Sequence, residues 1–221
     1  MTASPPRNLG LRERKRAACA AQIHEAAVRL VVEHGYEAVT VAQIAEAAEV
    51  SAKTVFNYWG SKDGAILGIE EDGPDPAWVE SYLAPENTDP FVPIIDLLAS
   101  RSGTLSKEHS RRRAQAFLDH PRLTGQRLAY VQKLTEDLAA LCARKLRQLR
   151  PEEPDEALIP EARLIATIAL TVTRHAWQEF TDSDAPTPFH DHLARSVALH
   201  KKLCADFVDG AHSYKTSGGN P

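Results

Sequence analysis

The chain is poor in cysteine, methionine and aromatic residues: its 221 residues include three Cys, one Met and only 6% Phe, Trp and Tyr. Cys19, Cys142 and Cys204 lie far apart, which gives neither an even disulfide framework nor a zinc-binding spacing. Long apolar runs are missing too. The longest nearly apolar stretch, 164–172, has nine residues, well short of the roughly 20 that a membrane helix needs. The opening MTASPPRNLGLRERKR carries charge but no apolar segment of the kind that leads a secreted protein. A disulfide-stapled secreted domain, a membrane protein and a zinc finger are thereby excluded, and a cytoplasmic location is expected. Catalytic signatures are also absent: no phosphate-cradling glycine loop, no G-x-S-x-G elbow and no H-E-x-x-H. An enzyme is not expected, and no cofactor is.

Charge of one sign is scarce overall but unevenly placed. The net formal charge is −4, which argues against a protein that coats nucleic acid through bulk positive charge. Residues 1–62 nevertheless hold eight Lys and Arg against six Glu, and five of those bases fall between Arg7 and Arg16. The rest of the chain is acidic. A basic end on an acidic body fits a local footprint for a polyanion, and equally a solvated tail.

What is present is helical periodicity almost everywhere, with no alternating strand and no internal repeat. A helix is predicted over 12–34, with Ile23, Ala27, Leu30 and His34 on one face and Gly35 to end it. Thr40-Val41-Ala42-Gln43 reads as a capping box that opens a short second helix striped by Val41, Ile44, Ala45 and Ala48. After a break at 49–51, Ser51 is a good N-cap for a third helix over 52–58, and a fourth follows Ser61. The Gly- and Pro-containing stretch 71–76 marks a boundary. Helices at 91–102, 106–119, 123–149, 161–180 and 189–208 complete an all-α chain. The expected organisation is a basic tail over 1–11, a helix-turn-helix domain over 12–70, a larger helical domain over 77–210 and a disordered tail over 211–221.

Two short helices joined by a tight break and braced by a longer one are the parts of a helix-turn-helix. Val55 and Trp59, at i and i+4, supply the side that docks the second of the pair. The opposite side offers Ser51, Lys53, Thr54, Asn57 and Tyr58, groups suited to phosphate and base-edge contact. Helix N-termini favour anions, which adds Thr40 and Gln43 at one end and Ser61 and Lys62 at another. Each of these can also be a simple cap or packing residue; it is their joint spacing that favours DNA.

The run from Ala26 through Gly35-Tyr36 and Thr40-Val41-Ala42-Gln43-Ile44 to Ser51-Ala52-Lys53-Thr54-Val55-Phe56-Asn57-Tyr58-Trp59-Gly60-Ser61-Lys62 resembles the DNA-binding domain of TetR-family repressors. The resemblance implies a homodimeric regulator of a double-stranded DNA operator, with a helical C-terminal domain that binds a small inducer. It also implies DNA contacts at Thr40, Gln43, Ser51, Lys53, Thr54, Tyr58 and Lys62. The chain departs from the family where Glu49 stands in place of the turn glycine, where Phe56 and Asn57 replace the more usual Tyr and basic or polar pair, and where Trp59 replaces Phe. A rival reading keeps the fold as a ligand-binding or adaptor protein without specific DNA binding.

Beyond residue 77, His190, His192 and His200 do not assemble a metal site, since 190 and 192 point to different sides of a helix. The apolar stretch 164–172 must be covered on both sides. Together with Leu193, Val197, Leu203 and Phe207 it is expected to build a four-helix dimer interface. Arg112, Phe117, Thr171, His175 and Trp177 are the candidate ligand residues. The helix order is similar to actinobacterial TetR proteins resembling acyl-CoA-responsive regulators. That implies a hydrophobic or acyl-CoA-like effector, with arginines suited to its phosphates.

Overall fold

The computed structural model describes residues 11–68, 73–102 and 106–216, with the side chains of 11–14, 101–102 and 208–216 left out. Arg7, Arg12 and Arg14 of the basic stretch therefore lie outside the described side chains. Every element among the described residues is a helix. They group into two compact units, Met1–Gly73 with Thr104–Val131, and Pro74–Gly103 with Gln132–Pro221.

In the first unit α1 (Leu11–His34) ends at Gly35, whose positive φ of 80° is the left-handed conformation a helix stop uses. Three short helices follow: α2 (Val41–Ala47), α3 (Ala52–Trp59) and α4 (Lys62–Leu67). Ile23, Ala27 and Leu30 are buried as predicted, but His34 is exposed and His24 takes the inner position instead. The core joins Ile44, Ala45, Ala48, Val55, Trp59, Ala65 and Ile66 to that face. It also takes in Phe117 of α7 (Lys107–Asp119) and Leu123 of α8 (Pro121–Leu149). Gly64 is fixed by contact, because a Cβ there would stand 2.0 Å from the Trp59 carbonyl oxygen.

The second unit contains α5 (Pro76–Leu83), α6 (Val92–Ser102), the rest of α8, α9 (Asp155–Asp182) and α10 (Phe189–Thr216). Helix α5 is absent from the sequence reading, which saw only the Pro-rich break; Asp75 caps it and Pro76 opens it, where a missing N–H costs nothing. Helix α9 starts six residues before the predicted 161 and carries Pro160 inside it. Helix α10 runs on to Thr216, into the segment expected to be disordered; 217–221 lie outside the described residues. The core is made by Ile94, Ile95, Leu138, Leu141, Leu146, Leu158, Ala162, Ala166, Ala169 and Leu193, among others. Lys145 is buried too, its Nζ donating to the Ala84 carbonyl at 2.8 Å and so closing the end of α5.

Leu193 is buried and Val197 packs half-buried on this core, so neither belongs to a free face. The apolar residues that stay outside are Leu199, Leu203 and Phe207 on α10, and Ile159 and Leu164 on α9.

Candidate nucleic-acid interface

Helices α2 and α3 are held by caps that fix where their polar ends lie. Thr40 Oγ1 accepts from the Gln43 backbone N–H at 3.3 Å, and Gln43 Oε1 accepts from the Thr40 N–H at 2.8 Å. Ser51 Oγ accepts from the Thr54 N–H at 3.0 Å and lies 2.8 Å from the Thr54 hydroxyl. Between them, the Glu49 N–H donates to the Glu46 carbonyl at 3.1 Å, and the Val50 N–H to that of Ala45 at 2.9 Å. That pair of bonds is the Schellman closure, whose outer residue must be left-handed. Glu49 is that residue, with φ 53°, the one non-glycine at positive φ among the described residues.

With Val55 and Trp59 buried, α3 turns Ser51, Lys53 and Asn57 to solvent, with Thr54 and Tyr58 half-buried beside them. Lys53 and Asn57 have no side-chain partner among the described residues. Phe56, 50% exposed, flanks Lys53 on the same side of the helix; the sequence marks it as a departure from the family pattern and not as a contact, although its i+3 spacing from Lys53 is the available signal. The Tyr58 ring packs on the core under the Arg16 guanidinium at 5.9 Å. Burial, and then the Cys19 thiol beside it, push its hydroxyl pKa up, so it remains a hydrogen-bond donor.

Lys62 is placed differently from the rest. Its Nζ donates to the carbonyls of Tyr36 at 2.9 Å and Val39 at 3.0 Å and sits 3.9 Å from the centre of the Tyr36 ring. It braces the loop leading into Thr40, and one of its three N–H groups remains.

Residues 23–67 match the family described as bacterial regulatory proteins, tetR family. The N-terminal domain belongs to the TetR family. Over 66 residues the chain is 42% identical to the HTH-type transcriptional regulator TcmR of Streptomyces glaucescens, a stretch that covers 30% of this chain and 29% of that protein. The match thus spans less than a third of the relative's length. The family match ends at Leu67, so the C-terminal unit rests on its own structure.

In that unit Trp177 stacks on Phe189 with ring centres 4.2 Å apart, and its buried indole N–H has no partner. His175 Nδ1 lies 2.9 Å from the Ser196 hydroxyl. The exposed Thr171 returns its hydroxyl to the Thr167 carbonyl at 2.9 Å. Arg112 and Phe117 fall in the first unit, where Arg112 pairs with Glu108 and Phe117 packs in the core. The five candidate ligand residues therefore fall into two sets, one per unit.

Proposed function

We propose that the chain is a ligand-responsive transcriptional regulator, a repressor, that binds a pseudo-palindromic duplex operator as a homodimer. One α3 enters each of two successive major grooves about 34–36 Å apart. The observation that carries this reading is the unspent outer face of α3. Lys53 and Asn57 are exposed and have no side-chain partner among the described residues, on a helix whose other side is locked by Val55 and Trp59. Asn57 suits the paired donor and acceptor of an adenine edge and Lys53 a guanine or a phosphate. Thr40, Gln43, Ser51, Thr54 and Tyr58 would position the backbone. Lys62 contributes mainly by holding the Tyr36–Thr40 loop.

The second copy covers the apolar strip of Leu199, Leu203 and Phe207, together with Leu164 of α9. The effector is a hydrophobic or acyl-CoA-like small molecule. His175 and Trp177 are the residues best suited to meet it, because the unpartnered indole N–H can donate to a ligand oxygen. The test is selection of binding sites from a random duplex library with the full-length protein. A two-fold symmetric consensus with half-sites one helical turn apart supports the reading. Recovery of unenriched sequence favours the adaptor reading.

A further inference from the structure

Three contacts converge on Asp63, the second residue of α4. Asp63 accepts from the Tyr36 hydroxyl at 2.5 Å through Oδ1 and from the Gln126 amide at 2.6 Å through Oδ2, and Arg122 approaches the same oxygen at 3.9 Å. Arg122 also lies 5.4 Å from the centre of the Tyr36 ring. Next in sequence, Lys62 holds the carbonyls of Tyr36 and Val39, and Val39 precedes the N-cap of α2. Arg122 and Gln126 both belong to α8, a single helix of 29 residues. Its Leu123 is buried in the core of the first unit, while Leu138, Leu141, Cys142 and Leu146 are buried in that of the second. The Gln126 amide oxygen is itself buried with no partner among the described residues. An apolar residue of the same size would avoid that cost, so the bond to Asp63 is what this side chain contributes.

We infer that Gln126 and Arg122 are positioning residues for DNA reading, with Asp63 as a latch by which α8 holds the loop that sets α2 in place. This rests on the DNA-binding reading above. Without Gln126 and Arg122, the Asp63 carboxylate is held by the Tyr36 hydroxyl alone among the described residues and is free to turn from it, so the loop running to Thr40 comes to depend on Lys62.

The test is a reciprocal exchange in the full-length protein. Gln126→Glu sets two carboxylates against each other; adding Asp63→Asn restores a donor and an acceptor across the gap. On the duplex recovered by selection, Gln126→Glu is expected to bind at least tenfold more weakly with an unchanged salt slope. Its affinity should recover as the pH falls and the carboxylate pair takes up a proton. Amide exchange over 36–43 should accelerate. The double variant should restore both affinity and protection, and Gln126→Leu, which carries no charge, should weaken binding in the same direction. Unchanged affinity and unchanged exchange in Gln126→Glu, or no rescue in the double variant, would overturn the inference. If the parent selects no sequence, the DNA reading fails on its own, and the exchange data still decide whether the latch exists.

Discussion

Glu49 shows how a single residue carries opposing demands. The closure of α2 needs a left-handed residue, glycine adopts that conformation without strain, and a side chain there costs about 1 kcal/mol. Replacing Glu49 with Gly should therefore raise the unfolding free energy by about 1 kcal/mol in urea denaturation. It should also tighten DNA binding, since an exposed carboxylate leaves the turn; no gain in either measurement would show that the strain is relieved some other way. The buried pair His24 and His109 makes a second prediction. Their rings are 4.6 Å apart, and His24 Nδ1 is 2.7 Å from the Ala65 carbonyl. Burial, then the neighbouring His109, lowers the His24 pKa from 6.5 to about 3. Burial, then Arg113 and Arg112, lowers that of His109 to about 4. Both rings are neutral in the fold, and the unfolded chain binds more protons between those values and 6.5. Stability is thus full above about pH 6.5 and drains away as the pH falls toward 4. His109→Leu should flatten that dependence between pH 7.5 and 4.5; equal slopes in parent and variant would contradict it.

At the scale of elements, caps decide more than propensity does. Helix α3 has eight residues, too few to be stable alone, and depends on Ser51 and its docked face. Ser51→Ala should cost about 1 kcal/mol, read as a lower urea midpoint with the dimer intact. Lys53→Ala should leave stability alone and weaken binding to all sequences, lowering the salt slope by about one. Local chemistry made these elements legible in the sequence. Thr40 with Gln43, Ser51, Ser61 and the stripe of Val55 and Trp59 state their partners within four residues of themselves. What was not legible depends on contacts across long stretches of chain. His24 rather than His34 faces inward because it meets Ala65 and His109, and Lys62 turns inward because the Tyr36 and Val39 carbonyls lie within reach. Leu193 and Val197 looked like part of an open face because apolar spacing cannot say which of two sides a helix buries. Helix α5 was hidden by reading Pro76 as a break, when a proline in the first turn is a beginning.

At the scale of the whole molecule, the charge is divided as a DNA reader requires, a basic N-terminal region on a chain of net charge −4. Leu199, Leu203 and Phe207, 44%, 46% and 75% exposed, leave a line of apolar side chains open along one side of α10. For the proposed homodimer, Leu203→Glu should give a monomer by light scattering at micromolar concentration, and operator affinity should fall with it because one half-site cannot hold the protein. A dimer that survives the substitution would place the interface elsewhere. The most direct test of the central claim is fluorescence anisotropy of the full-length protein on its selected duplex and on a scrambled one, across a range of salt. Binding to the selected duplex should be at least about a thousandfold tighter than to the scrambled one. That binding should weaken steadily with salt and be lost in Asn57→Ala without loss of the dimer. Equal affinity for the two duplexes, or an Asn57→Ala variant that binds like the parent, would contradict it.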